Sequence, residues 1–181
     1  MAVGKALGMT GAVLAAALWA GAAMAQVAQS SAVWATYQPP EADFSALFPG
    51  APQVSTQPMG SVAGATLRTY ALQSGPEAFN VAIFVYPKGT LPPSLSKEQL
   101  DNLAQLFGEG AGKKLRSSVA ASVSGRPGIE ALLDDPATGE VTIFRAAQMG
   151  DRIFTIAYGG EKGTETSPQA TRFVSSLVIK K

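Results

Sequence analysis

The stretch ADFSALFPGAP, Ala42–Pro52, decides how the rest of the chain is read. Phe44, Ala46 and Phe48 fall at every second position, the period of a strand with one apolar face. Pro49 ends the run, because proline has no N–H to give to a ladder. Gly50 suits a turn that needs positive φ, and Pro52 keeps the exit extended. The stretch therefore predicts a strand over 44–48 and then a rigid corner. Through it the chain leaves its sheet without exposing a long, pairable edge.

Upstream, Trp34 to Gln38 reads as a short first strand stopped by Pro39-Pro40. Downstream, 53–65 is rich in Gly and Ser and reads as a loose connection. Thr66 to Gln73 (TLRTYALQ) and Phe79 to Tyr86 (FNVAIFVY) read as strands joined by a turn at Ser74-Gly75-Pro76-Glu77. In the second of them, Phe79, Val81, Ile83 and Val85 face one way and Ala82, Phe84 and Tyr86 the other. Apolar residues on both faces predict a central strand covered on both sides.

A helix is expected within 91–114. Ser96 and Gln99 have capping-box spacing, and Leu100, Leu103, Ala104 and Phe107 form an apolar stripe at helical period. Leu115 to Ser124 alternates weakly as a strand. Turn residues at Gly125–Gly128, Asp134–Gly139 and Met149–Asp151 then separate three strands, Ile129–Leu133, Val141–Gln148 and Arg152–Tyr158, the pattern of an antiparallel meander. Ser167 and Pro168 start a last helix with Ala170, Phe173, Val174 and Leu177 on one stripe. Strands, helix, strands, helix around a mainly antiparallel sheet is an α+β order with helices on the sheet faces.

Residues 1–25 read as a secretory leader: Lys5 near the start, an uncharged apolar run over Leu7–Ala20 (LGMTGAVLAAALWA), and Ala23-Met24-Ala25 as the small-x-small cleavage pattern. The run is short and Ala/Gly-rich for a span of about 20 residues. Cleavage after Ala25 is expected, with a periplasmic or secreted product of 156 of the 181 residues. Within it, 26–33 reads as a disordered lead and 34–181 as one domain.

Composition removes more functions than it suggests. Loss of Lys5 leaves thirteen basic residues against thirteen acidic ones, a poor balance for neutralising phosphates, so no nucleic-acid partner is expected. No histidine and no cysteine occur anywhere. The usual general base, thiol nucleophiles, disulfides and thiolate or imidazole metal ligation are excluded with them. Carboxylates, Lys, Arg, Tyr and Ser/Thr remain.

Three pieces carry a resemblance to a known family: Phe44–Pro52 (FSALFPGAP), Gly125–Asp134 (GRPGIEALLD), and Arg145–Leu177, with RAAQMGDRIFTIAY followed by ATRFVSSL. The Phe-Pro-Gly-x-Pro corner, the long capped helix, the Pro-Gly-led meander and the closing helix resemble exported bacterial proteins of the PsbP/Mog-like superfamily. The resemblance covers most of 34–179 and rests on turns, caps and core positions. It implies an α/β/α sandwich around a central antiparallel sheet. It also implies a non-catalytic role as partner of a larger assembly, as with the extrinsic photosystem subunit and the nuclear-transport regulator of that superfamily. Metal sites described for photosynthetic members involve histidine, so no metal ligand and no cofactor carries over.

Of the candidate sites, GEGAGKK (Gly108–Lys114) lacks the first glycine and the final Ser/Thr of a phosphate loop, with Phe107 and Lys114 in their places. It reads as a helix end. Asp134-Asp135 reads as an Asx-type hairpin turn. No Gly-x-Ser-x-Gly elbow occurs, and a serine nucleophile would need lysine as its base. Glu130, Asp134 and Glu140 are the candidates for carboxylate chemistry. Trp34, Tyr37, Leu91, Lys113, Lys114 and Arg116 are the candidates for a partner-binding surface, with Arg126 near them in sequence. The leading expectation is a non-catalytic exported domain that binds an envelope protein. A binder of a small or lipophilic ligand between sheet and helix comes second, and a carboxylate-dependent enzyme third.

Overall fold

A computed structural model describes residues 33–41, 43–60 and 62–180. The leader and most of the lead fall outside the described residues. The elements run β1 (Ala35–Tyr37), β2 (Phe44–Phe48), β3 (Gln53–Pro58), β4 (Thr66–Ser74), β5 (Glu77–Val85), α1 (Lys97–Gly110), β6 (Lys114–Val123), β7 (Arg126–Asp134), β8 (Glu140–Met149), β9 (Arg152–Glu161), α2 (Pro168–Val174) and β10 (Val178–Ile179), with a 3-10 turn at Thr164–Thr166.

Two antiparallel sheets form. The larger has the order β3-β4-β5-β9-β8-β7-β6 and the smaller β1-β2-β10. The larger sheet is two meanders, β3-β4-β5 and β6-β7-β8-β9, meeting along the β5–β9 seam, where Val81 stands opposite Ile156 and Ile83 opposite Phe154. The connection through α1 carries the chain from β5 to the far edge, and the second meander walks back.

The corner in the opening stretch now has its meaning. β2 belongs to the small sheet and β3 to the large one, so Pro49-Gly50-Ala51-Pro52 carries the chain between sheets. Phe44, Ala46 and Phe48 are all buried in one core cluster, as their alternation predicts. That cluster fills the space between the large sheet and the layer made by β1, β2, β10 and α2. Phe79, Val81, Ile83, Phe154 and Tyr158 meet Phe44, Phe48 and Phe173 there. Rings of Phe79 and Phe173 stand edge to face at 5.1 Å, and those of Phe48 and Phe173 at 5.2 Å. The opposite face packs Ala82, Phe84, Leu133 and Phe144 against Leu100, Leu103 and Ala104 of α1.

The expected α/β/α sandwich is overturned. Strands make up 50% of the described residues and helix 16%, which rules out two helical layers. One helix covers one face; a second small sheet with a seven-residue helix covers the other. The stripe from Ala170 to Leu177 suggested a longer helix, but Ser175 and Ser176 end it. The Ser176 hydroxyl donates to the Phe173 carbonyl at 2.7 Å and accepts the Leu47 N–H at 2.9 Å. Leu177 is buried beyond the helix. Chain expected to be loose at 53–58 is instead β3, paired from Gln53 opposite Ala71 to Pro58 opposite Thr66.

Both caps form as the sequence implies. Ser96 accepts the Gln99 N–H while the Gln99 side chain accepts the Ser96 N–H, and Ser167 accepts the Ala170 N–H. At the C-terminus of α1, Gly112 takes φ +72°, its N–H reaches the Glu109 carbonyl, and the Lys113 N–H reaches the Gly108 carbonyl at 2.7 Å. That bond pair is a Schellman motif, and it accounts for Gly112; Gly108 is set by close packing, since a Cβ there would collide with the Leu133 side chain.

Candidate functional site

The large sheet has two outer edges, and the sequence treats them differently. β3 (QVSTQP) is six residues, preceded by Pro52 and ending on Pro58, neither of which has an N–H to offer an added strand. β6 (KLRSSVAASV) is ten residues with no proline, and from Ser117 to Val123 it carries no charge. Among the described residues no strand pairs with its outer side. Val119 at its middle is 56% exposed, which leaves an apolar side chain in water at the centre of an open ladder. Natural edges are normally blunted by charge, proline or a bulge. Here only the first turn of the strand is so protected, by a register shift between Leu115 and Ser117 that bulges Arg116 outward.

That bulge gathers charge. Arg116 makes a two-point contact with Asp134 of β7, its Nε 2.7 Å from Oδ2, and its Nη1 reaches Glu165 at 3.3 Å. The guanidinium hydrogen bond holds the Asp134 carboxyl below its ordinary range, and the carboxylates raise the arginine in turn. Lys113 is buried and its ammonium lies 3.2 Å from Glu140. Lys114 is exposed. The basic triad expected as a contact patch is thus divided into a half-buried ion pair, an exposed cation and a two-partner anchor, all at the mouth of the β6 edge.

The other expected partner residues lie elsewhere. Trp34 packs edge-on against Phe79 at 5.6 Å, with the Arg172 guanidinium 4.9 Å above its ring. Tyr37 is half-buried among Phe44, Phe48 and Tyr70. Both cover the small-sheet core. Leu91 is half-buried against the α1-side core, at the start of a proline-rich strap. Gln148 holds this strap down: its Oε1 accepts the Leu95 N–H at 2.6 Å, and its Nε2 donates to the carbonyls of Pro92 at 2.7 Å and Gly150 at 2.8 Å. The six residues do not form one surface.

The three candidate carboxylates are each engaged by a cation: Glu130 with Arg145 Nε at 2.6 Å, Asp134 with Arg116, and Glu140 with Lys113. Asp135 accepts the N–H groups of Ala137 and Thr138, the Asx geometry the hairpin suggests; burial opposes its ionisation, yet these bonds hold its carboxyl below the ordinary value. Among the described residues no group of three acidic side chains is placed to hold a metal ion. Ser94-Leu95-Ser96-Lys97 does have Ser-x-x-Lys spacing, but the Lys97 ammonium is bound to Asp101 at 2.6 Å on the exposed helix face.

No family model matches the sequence, and no curated protein matches it. Solved structures do. The solution structure of the cyanobacterial PsbP, CyanoP, from Synechocystis sp. PCC 6803 aligns over 88% of this chain and 100% of its own, with a TM-score of 0.54 and 12% identity. A crystal structure from Bacteroides thetaiotaomicron VPI-5482 aligns over 81% of this chain and 48% of its own, at TM-score 0.44 and 15% identity. The first likeness is one of fold: the chain is PsbP-like in architecture. No helix among the described residues is long and apolar enough to cross a membrane.

Proposed function

We propose that this chain is a non-catalytic binding domain that works in the periplasm or outside the cell. There it takes up an extended, uncharged segment of an envelope protein as an added strand on β6. The observation that carries the reading is the edge itself: seven consecutive uncharged residues, Ser117 to Val123, with an open ladder and an exposed central valine. Strand addition of this kind draws affinity from main-chain hydrogen bonds and selectivity from alternate side chains. Small residues on β6 (Ser117, Ala120, Ala121, Ser122) let an incoming backbone approach closely. The export reading rests on the Lys5–Ala25 leader pattern. The engagement of Glu130, Asp134 and Glu140 in ion pairs supports binding over catalysis.

A photo-crosslinking residue at Val119 of the Gln26–Lys181 chain, introduced in its native envelope, tests this. The expected result is one discrete crosslinked partner, lost when Ser122→Lys is added and retained when Val178→Lys, on the small sheet, is added instead. Crosslinks to a second copy of the chain would make β6 a self-association edge. An adduct pattern unchanged by Ser122→Lys would remove the edge from the interaction altogether.

A further inference from the structure

The six arginines of the chain all lie among the described residues, and five have a partner for their charge. Arg68 meets Glu41 and Asp43, Arg116 meets Asp134 and Glu165, Arg145 meets Glu130, Arg152 meets Asp43, and Arg172 lies over Trp34. Arg126 is the exception. No acidic side chain among the described residues pairs with it, and its Nε is buried without a hydrogen-bond partner. A buried donor on a charged group left unpaired is costly, and in a native chain it calls for a reason.

The reason suggested by its surroundings is a ligand. Arg126 follows the β6–β7 turn, where Ser124 and Gly125 both take positive φ and place it opposite Val123. It lines a cleft of about 280 Å³ walled by Pro93, Ser94 and Leu95 of the strap, Leu100 of α1, Gln148 and Met149. No acidic residue is in that lining. The strap wall is held in place by the Gln148 hydrogen bonds to Leu95 and Pro92, so the cleft exists before anything enters it. One unneutralised guanidinium in a cleft of mixed polar and apolar walls selects a single anionic head, and guanidinium geometry favours a carboxylate, which it can hold at two points. The volume admits a small body only.

We infer that the cleft at Arg126 binds a compact monocarboxylate. The carboxylate can come from a free organic acid or from the C-terminus of a peptide. This site is separate from the β6 edge and stands or falls without it.

The test uses the Gln26–Lys181 chain with ¹³C-labelled methionine methyls, reading the Met149 signal. Two probes are titrated, phenylbutyrate and N-acetyl-alanyl-leucine, each beside its neutral amide. At least one acid is expected to shift Met149 and to bind about tenfold or more tightly than its amide. Arg126→Met should abolish that preference and Arg126→Lys retain part of it, with the unfolding midpoint of each variant confirming the fold. A shift with phenylbutyrate alone assigns a free acid, and one with the peptide alone a chain terminus. Equal binding of acid and amide, an undiminished preference in Arg126→Met, or no shift from either acid up to about 10 mM would overturn the inference.

Discussion

The hydroxyl of Ser124 accepts the backbone N–H of Ile179 at 2.8 Å, joining the tip of the β6–β7 hairpin to the last strand of the small sheet. Ser124 is also the one described non-glycine residue with positive φ, at 53°. Its backbone would be easier for glycine, but only a side chain with an acceptor can hold Ile179. Ser124→Ala keeps the strained backbone and loses the bond, so it should cost about 1 to 2 kcal/mol. Ser124→Gly regains backbone ease and should cost less. Urea unfolding of both variants checks the ranking, and Ala proving the milder change would refute it.

Gly128 lies within β7, opposite Ala147, where a Cβ would collide with the carbonyl oxygen of Ala146 and crowd Val123 and Ala147. The obstacle is backbone, which cannot swing aside. Gly128→Ala should therefore destabilise by about 3 kcal/mol. Gly139→Ala, where space is open but φ is +75°, serves as a comparison limited to backbone strain. Thermal unfolding should rank Gly128→Ala as the more damaging of the two.

Acid should undo the Arg116 anchor. Asp134 is held below its ordinary value by the Arg116 hydrogen bond. Burial opposes ionisation of Glu165, but its own and the Gly163 N–H groups, with Arg116, bring it below its ordinary value as well. Depressed carboxyls contribute stability that is complete above their unfolded pKa of about 4 and is lost as pH falls through the lower folded values. Arg116→Met should thus be less stable than the parent at neutral pH by roughly 1 kcal/mol or less, since the pair is part-exposed. The difference should close below about pH 4. A gap that persists at pH 2 would mean that Arg116 acts through packing.

Gln148 decides whether the strap stays down. Gln148→Leu removes three hydrogen bonds and leaves the Leu95 N–H without its acceptor. Hydrogen exchange at Leu95 should accelerate by about tenfold or more, while amides in β5 and β9 keep their protection. Uniform acceleration across the sheet would instead show that the side chain supports the whole fold.

Much of this architecture could be read in advance where side-chain period or cap chemistry is strong. β2 is legible from Phe44, Ala46 and Phe48, β5 from its two apolar faces, and α1 from Ser96 and Gln99. β3 is hidden because its residues, QVSTQP, are almost all exposed and no alternation survives without a buried face. β10 is only two residues, and its pairing with β2 depends on chain more than 130 residues away. The helix-flanked sandwich failed for the same reason: nothing local tells Phe44 and Phe48 that they, and not a long helix, will roof the sheet. The candidate sites follow suit. Lys113, Lys114 and Arg116 are neighbours in sequence yet face three different fates: Lys113 meets Glu140 of β8, Arg116 meets Asp134 of β7 and Glu165, and Lys114 points into solvent. The isolation of Arg126 is visible only once the other five arginines have been paired in space.

The β5–β9 seam divides the large sheet into two local meanders whose neighbouring strands are also neighbours along the chain. Each half closes its own ladders at short range, and only the seam must wait for distant partners to meet. The segment between Pro87 and Ser96 is therefore a natural place to cut. Fragments ending and beginning there carry complementary apolar faces and a full set of seam partners, Ala78–Val85 for one and Arg152–Gly159 for the other. A two-piece version of this protein, reconstituted by mixing, is built into the way its strands are ordered.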